Sequence, residues 1–256
     1  MGGLVKNMNN FRDPGAGIGG KYWYKQVASH WLEASKRHQM PVDEQIYFDI
    51  KDEVFSTYPA CIAFEAAQIQ GKELGIKYLR RLREAAAAQR MAIQKFEVQV
   101  MLAEEIGLIK GQFIKDVQSG KALKSFEADM AECRRRGISG FPTFLLQYEK
   151  EEIMLHSYSI YETFEHWIQE LSNNKLQPKT LNGSSAQIFN FISKYGNTAI
   201  IEIATVFNME ITKVKEHLTS LWETGQIQEQ KTGNGFLYSL ANKTDVCDPI
   251  TGSCTV

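Results

Sequence analysis

Apolar residues recur at helical spacing through most of the first 136 positions and give way to short continuous runs after position 141. A spacing of three or four residues, as in Val27, Trp31 and Ala34, predicts an amphipathic helix. Most of the predicted helices end at a glycine, which favours the left-handed conformation of a C-cap. They are 21–38, 57–71, 72–90, 95–106, 111–119 and 121–136. Residues 1–20, rich in glycine and asparagine, are predicted to form a loop.

Two short apolar runs follow, and their pattern predicts a β-hairpin. They span 142–148 and 152–157 and are joined by a charged turn, with an amphipathic helix at 160–172 behind them. Pro142 is unexpected here, because a central strand needs the backbone N–H that proline lacks. The sequence therefore specifies something other than a plain strand at this position.

The remainder of the chain predicts a smaller second unit. Residues 173–184 are polar, contain proline and glycine, and are predicted to be a linker. Three helices and a hairpin that turns at a Thr-Gly-Asn-Gly sequence come next, and this order predicts a winged-helix domain over 185–242. The predicted elements are 185–195, 198–207, 210–224 and 226–240, and residues 243–256 form a cysteine-containing tail.

Two stretches resemble a known family. GISGFPTFLL at 137–146 resembles the cis-proline loop of DsbA-like thioredoxin-fold proteins, in particular the FrnE-type dithiol-disulfide isomerase group, and 56–85 resembles the helical insertion of that group. With the added winged helix, the arrangement is similar to the bacterial adaptors that present the transcription factor Spx to the ClpXP protease. The resemblance implies an α/β, thioredoxin-like (DsbA-type) domain with a large helical insertion over 1–172, followed by the winged-helix domain.

The resemblance also implies a peptide-binding site around the proline. A cis Phe141–Pro142 bond would turn the groups of residue 141 toward an extended peptide, with Thr143 as a further contact. An ordinary trans-proline on an edge strand is the alternative. Ser56, Thr57 and Tyr58 would line the cleft in front of this loop, although capping a helix explains Ser56 or Thr57 equally well. The site residues expected for substrate binding are Phe141, Pro142, Thr143, Ser56, Thr57 and Tyr58.

The sequence departs from the family in one important respect. It contains no Cys-x-x-Cys, and the first strand, the first helix and most of the second strand of the family pattern are missing. We expect either a fragment of a longer protein or a natural truncation. The fragment is favoured, because the hairpin would otherwise expose an apolar edge and face. The domain is therefore expected to be N-terminally incomplete.

The four cysteines are candidates for separate roles. Cys61, early in a helix, could have a lowered pKa from the helix dipole, although a small core residue is the simpler interpretation. The same interpretation applies to Cys133, next to three arginines. Cys247 and Cys254 flank a turn sequence and could form a redox pair or half of a zinc site, while a disordered tail is the alternative. The five histidines show no metal spacing, so no metal is expected apart from this candidate cysteine pair, and no cofactor is expected.

Charge and hydropathy restrict the partners. Lysine and arginine (29) nearly balance aspartate and glutamate (30), and the segment 185–242 carries more acidic than basic residues. Nucleic acid is therefore an unfavoured partner, and a DNA-binding regulator is the weakest interpretation. No apolar run is long enough for a membrane span, and no signal-peptide core is present, so we expect a cytoplasmic protein.

The functional expectation has two forms. The main one is a protein of the DsbA-like thiol-disulfide oxidoreductase/isomerase family that lacks the dithiol and binds a protein or peptide client through the proline loop. The alternative is an adaptor that presents an Spx-like protein to ClpXP, with ClpX as the second partner. Enzyme activity remains open between them.

Overall fold

The computed structural model describes residues 5–13, 18–179 and 181–241. Eleven α-helices and six β-strands occur in these residues. The helices are α1 (Trp23–His38), α2 (Ile46–Asp49), α3 (Tyr58–Gln70), α4 (Lys72–Ala87), α5 (Phe96–Glu105), α6 (Lys110–Gln118), α7 (Lys121–Arg135), α8 (Tyr161–Leu171), α9 (Ser185–Tyr195), α10 (Ile200–Phe207) and α11 (Ile211–Glu223). The strands are β1 (Arg12–Asp13), β2 (Ile18–Gly19), β3 (Thr143–Tyr148), β4 (Glu151–His156), β5 (Ile227–Thr232) and β6 (Gly235–Leu240). None of the described helices is long and apolar enough to cross a membrane.

The predicted helices and both predicted hairpins are confirmed, with ends that differ by a few residues. The prediction of a loop over 1–20 is wrong for part of that segment, where a 3₁₀ turn (Met8–Asn10) is followed by the short antiparallel pair β1–β2. The one-turn helix α2 was also not predicted. These elements are two to four residues long, which is too short for apolar periodicity to show.

The described residues divide by their contacts into two compact units. The hairpin unit runs from Glu127 to Leu181 and contains the end of α7, β3, β4 and α8. The helical unit comprises the described parts of 3–126 and of 182–256. This division differs from the predicted boundaries at 172 and 185, because α9–α11 and the β5–β6 hairpin pack with the preceding helices as one unit.

The core of the helical unit is built on small residues of α3. Ala63, Ala66 and Ala67 are fully buried, and α3 packs against α4. Small side chains let two helix backbones approach closely, and larger residues from the surrounding helices then fill the remaining volume. Tyr78 is one of these residues, and its buried hydroxyl donates to the carbonyl of Gln99 at 2.9 Å.

An aromatic cluster forms another part of the core of the helical unit. Trp23 stacks on Phe55 with ring centroids 5.2 Å apart, and Tyr47 packs edge-on against both rings. Val5 and Met8 from the start of the described chain are buried against the same cluster. The N-terminal segment is thus part of the core of the helical unit.

The segment 185–241 has the element order predicted for a winged helix. Its hairpin pairs Ile227 with Leu240 and turns between Thr232 and Gly235. Between α9 and α10, Thr198 forms a bridge to Tyr238 of β6, with both N–H to carbonyl distances at 2.9 Å. Three helices, a bridging residue and a hairpin are therefore present, while the winged-helix assignment itself stays a prediction.

Polar contacts join this segment to the preceding helices. Arg80 of α4 donates to both carboxylate oxygens of Glu202 in α10, at 2.8 and 3.2 Å, and to the carbonyls of Tyr195 and Asn197, at 2.8 and 2.6 Å. At the hairpin turn, the Asn234 side chain accepts the N–H of Val42 at 2.9 Å. These contacts explain why both segments fall in the same compact unit.

The hairpin unit is organised around β3 and β4. The strands pair in register from Thr143 opposite His156 to Tyr148 opposite Glu151. Helix α8 packs on the hairpin through Phe164, whose ring meets that of Phe144 edge-on at 4.9 Å. The unit therefore presents the predicted order of loop, hairpin and amphipathic helix.

Candidate functional site

The loop that enters β3 contains the proline selected from the sequence. The peptide bond between Phe141 and Pro142 is cis. The Thr143 hydroxyl donates to the carbonyl of Gly140 at 2.7 Å, and the N–H of Ser157 donates to the carbonyl of Pro142 at 2.9 Å. The Phe141 side chain is 50% exposed. These bonds fix the proline loop, residues 140–143, at the head of the hairpin and leave the Phe141 ring accessible.

One edge of β3 has no strand beside it among the described residues, where β4 is its only neighbour. In an antiparallel ladder, alternate residues point their backbone groups toward the partner strand. Pro142 bonds to Ser157 across the ladder, so the backbone N–H and C=O groups of Thr143, Leu145 and Gln147 point away from β4. These three residues form the free edge, which is oriented to accept an added strand.

Apolar side chains are unusually exposed in the hairpin unit. Among its described residues no hydrophobic side chain is fully buried. The larger exposed ones are Phe141, Phe144, Leu145, Tyr158, Ile160, Tyr161, Ile168 and Leu176. Exposed apolar surface beside a free strand edge can pack against another polypeptide segment, either from the same domain or from a partner.

A charged cluster lies at the end of α7. Arg135 and Arg136 both bind the Glu132 carboxylate at 2.5 Å, and Arg136 also reaches Glu152 of β4 at 3.1 Å. Their hydrogen bonds lower the pKa of Glu132 to about 2. The cluster therefore stays ionised at neutral pH, and through Arg136 it connects the end of α7 to the hairpin.

The three predicted cleft residues 56–58 lie in the helical unit, where each makes a structural contact. The Ser56 hydroxyl accepts the N–H of Tyr58 and donates to the carbonyl of Val5, both at 3.1 Å. Thr57 is the N-cap of α3, but its hydroxyl bonds to the backbone of Val5 instead of capping the helix. Tyr58 packs edge-on against Phe126 at 5.0 Å. These contacts fasten the N-terminal segment to α3, and a cleft role for these residues stays a prediction.

The cysteines among the described residues are Cys61 and Cys133. Burial raises the pKa of Cys61 to about 11, so the alternative of a lowered pKa is wrong, because loss of solvation outweighs the helix dipole. Cys133 is half-buried and free. Cys247 and Cys254 lie outside the described residues. Within 5–13, 18–179 and 181–241, no cluster of three histidine, cysteine or acidic side chains could hold a metal ion.

Sequence reasoning missed the free-edge residues Leu145 and Gln147. The run 142–148 shows that a strand is present, but the side of the strand on which a backbone group lies depends on its register with β4. It also missed Arg80 and Val5, because their partners are 122 and 52 positions away along the chain. No local pattern indicates such contacts.

Comparison with known proteins agrees with this architecture. A family model described as thioredoxin matches residues 18–166, more than half of the chain. The chain belongs to the thioredoxin family. The fold is also similar to that of a candidate protein disulfide isomerase from Nitrosomonas europaea, with a TM-score of 0.55 and 17% identity over 68% of this chain and 80% of that one. The predicted thioredoxin-type fold with a helical insertion is confirmed.

Two curated relatives of the chain carry the same name. The ClpXP adapter protein SpxH of Halalkalibacterium halodurans is 27% identical over 77% of this chain, and that of Bacillus subtilis is 25% identical over 86%. The chain spans 63% of the first relative, which is less than two thirds of its length, and 73% of the second.

Proposed function

We propose that this thioredoxin-family protein is an adaptor that binds a protein client and presents it to the ClpXP protease. The observation that carries the proposal is the match to proteins named ClpXP adapter SpxH along 77% and 86% of the chain. In this assignment an Spx-like protein is the client, ClpX is the second partner, and the protein works in the cytoplasm, where ClpXP acts.

The proline loop and the free edge support client binding. Thr143, Leu145 and Gln147 offer outward backbone groups to an extended segment, and Phe141 offers an exposed aromatic contact beside them. Main-chain hydrogen bonds to an added strand give affinity with little sequence specificity, while the neighbouring side chains select the client. Binding of this kind requires no redox chemistry.

Thiol-disulfide catalysis receives less support from these residues. A redox dithiol needs two close thiols, of which one is readily ionised. The sequence has no Cys-x-x-Cys, and burial raises the pKa of Cys61 to about 11. In this proposal the thioredoxin-type fold therefore binds a polypeptide and does not catalyse thiol-disulfide exchange.

Degradation of an Spx-like protein by purified ClpX, ClpP and ATP tests the adaptor function. Adding the wild-type protein should accelerate loss of the client on a gel by at least about tenfold, with pull-down of both client and ClpX. Replacement of all four cysteines by alanine should preserve the acceleration. If the client is neither bound nor degraded faster, the adaptor proposal is wrong. If the cysteine-free variant is inactive although its circular dichroism and urea midpoint match those of the wild type, thiol chemistry is required.

The free edge can be tested separately at Leu145. A Leu145→Pro substitution removes an outward N–H without removing a bond to β4, because proline is tolerated on an edge strand. We expect it to weaken client binding, whereas Leu145→Ala, which keeps the N–H, should bind nearly as well as wild type. Phe141→Ala should also weaken binding, and Ile109→Ala, at a 70% exposed apolar residue in the helical unit, is its control. Equal binding by all four variants would exclude the edge as the client site.

A further inference from the structure

A groove on the segment 185–241 is a second candidate for polypeptide recognition. It has a volume of about 560 Å³ and lies between α11, the β5–β6 hairpin, the start of α10 and the loop after α1. Two aromatic residues on its walls are largely open to solvent: Trp222 of α11 is 57% exposed and Phe236 of β6 is 42% exposed. We refer to it as the α11 groove.

Packing leaves these aromatic residues at the surface. Helix α11 uses Val214, Leu218 and Leu221 for the core, and all three are buried. Trp222 follows Leu221 and is therefore turned toward the groove rim. Large exposed aromatic side chains in a concave surface are enriched among the residues that dominate protein interfaces. The groove thus resembles an interface more than ordinary surface.

Two lysines and one glutamate lie at or beside the groove, which gives a small excess of positive charge. Lys215 lines it and forms no ion pair with any described residue, and the Lys231 ammonium lies 4.7 Å from the centre of the Phe236 ring. The carboxylate of Glu229 also lines the groove, accepts a hydrogen bond from the Tyr238 hydroxyl at 2.6 Å and keeps its negative charge. It forms no ion pair with Lys215 or Lys231 among the described residues, so both lysines remain available to a ligand carboxylate.

The other lysines of this segment do not line the groove. Residues 185–241 contain four lysines and five glutamates, so the segment as a whole is slightly acidic. Of the other two lysines, Lys213 pairs with Glu216 at 3.1 Å and Lys194 lies 5.0 Å from the ring of Tyr195. Two of the three lysines without a carboxylate partner among the described residues, Lys215 and Lys231, thus lie beside the exposed aromatic rings of the groove.

We propose that the α11 groove binds a short acidic peptide segment with an aromatic or large aliphatic anchor. The anchor would insert between Trp222 and Phe236, and aspartate or glutamate residues beside it would face Lys215 and Lys231. Nucleic acid fits less well, because two lysines neutralise few phosphates and α11 also carries Glu216. This inference does not rest on the adaptor proposal, since it concerns a surface outside the hairpin unit.

Selection from a phage-displayed random dodecapeptide library on the full-length protein tests the proposal. We expect enriched peptides to combine an aromatic or large aliphatic residue with at least two acidic ones. Synthetic versions carrying fluorescein should bind the wild type in fluorescence anisotropy, with an affinity that falls as salt is added. Neither ClpX nor a client is present, so the result is independent of the proposed function.

Variants decide whether the groove is the binding site. Trp222→Ala should weaken binding at least about tenfold and Lys215→Glu about fivefold or more, because the first removes an anchor contact and the second reverses a charge. The controls are Tyr22→Ala, at another exposed aromatic residue, and Lys213→Glu, and both should stay within about twofold of wild type. Circular dichroism should show unchanged folding for Trp222→Ala.

Three results would overturn the inference. They are the absence of any enriched peptide family, enrichment of basic peptides, and binding that is unchanged in Trp222→Ala. A 20-base-pair DNA duplex serves as the competing probe, and Trp222-dependent binding of that duplex in preference to the peptides would assign the groove to nucleic acid.

Discussion

Replacing Arg80 should reveal how firmly the segment 185–241 is held to the preceding helices. The Arg80 guanidinium makes four hydrogen bonds, to the carboxylate of Glu202 and to the carbonyls of Tyr195 and Asn197, and it lies 3.1 Å from Glu84. Arg80→Met keeps most of the aliphatic stem and removes every one of these donors. Two carboxylates and two carbonyls then lose their shared partner.

The expected loss of stability follows from burial. Removing one partner of a fully buried ion pair costs about 3–5 kcal/mol. The Arg80 side chain is 28% exposed and Glu202 is 20% exposed, so water can replace part of the lost interaction. We therefore expect the free energy of unfolding of Arg80→Met to fall by about 2–4 kcal/mol.

Urea unfolding followed by far-ultraviolet circular dichroism measures this change. The midpoint should move to lower urea while the slope stays constant, which indicates altered stability and not an altered denatured state. Arg90→Met is the matched control, because Arg90 also binds a carboxylate through two nitrogens, at 2.5 and 2.7 Å from Asp49, but both side chains are more than 40% exposed. Surface pairs of this kind contribute little.

Comparing the Arg80 and Arg90 variants tests directly whether the contacts of Arg80 stabilise the helical unit. If Arg80→Met loses no more stability than Arg90→Met, the contacts of Arg80 do not stabilise the helical unit. A second comparison uses the double variant with Glu202→Gln, which removes the charge left unpaired. It should recover part of the lost stability relative to Arg80→Met, because an uncharged amide costs less to leave without a cation.

Three further predictions concern the helical unit. Gly233→Ala should destabilise the protein by about 2 kcal/mol or more in urea unfolding, because a Cβ there would overlap the backbone of Val42 and Asp43. The control is Gly225→Ala, which also has a positive φ but open space around it, and it should cost about 1 kcal/mol from the backbone conformation alone. Equal losses would refute the overlap. Asn234→Ala should cost about 1–3 kcal/mol in the same assay, because a backbone N–H in the loop after α1 loses its acceptor, and no loss would contradict that role. Iodoacetamide should modify Cys61 far more slowly than Cys133 at pH 8 by peptide mass mapping, because its raised pKa keeps the thiol protonated, and comparable rates would contradict its burial.

The Cys61 thiol should also reduce the stability of the protein at high pH. The folded pKa of Cys61, about 11, is above its ordinary value of 9.0. Its protonated form is thus favoured by folding, and this contribution is fully present below pH 9 and is lost as the pH rises through 11. Cys61→Ala should reduce the loss of stability over that interval, and an identical pH profile for both proteins would contradict the assignment.

Local sequence patterns were sufficient for most of the secondary structure. Apolar residues at helical spacing and terminal glycines predicted the long helices, and the run after Pro142 predicted the β3–β4 hairpin. The pattern around Phe141–Pro142 also directed attention to the loop whose peptide bond is cis in the structure. These features depend on neighbours within a few positions, so they are visible in the sequence.

Only some residues of the candidate sites could be predicted from the sequence. Phe141 and Thr143 were selected from their position beside Pro142, but the outward direction of Leu145 depends on the pairing of β3 with β4. Likewise, helical periodicity alone does not show that Trp222 and Phe236 line the same groove. A site formed by separate elements requires the tertiary arrangement of those elements.

The sequence by itself determined the helices, the two hairpins and the proline loop, because spacing, capping and turn residues act locally. Only the tertiary structure decided which segments belong together. It grouped 185–241 with the preceding helices, through Arg80 to Glu202 and Asn234 to Val42, instead of leaving it as a separate unit. It also showed that the Thr57 hydroxyl accepts a hydrogen bond from the backbone N–H of Val5, which attaches the N-terminal segment to α3. Contacts between residues 52 to 192 positions apart are determined by packing and hydrogen-bond satisfaction across the whole fold, and no local pattern encodes them.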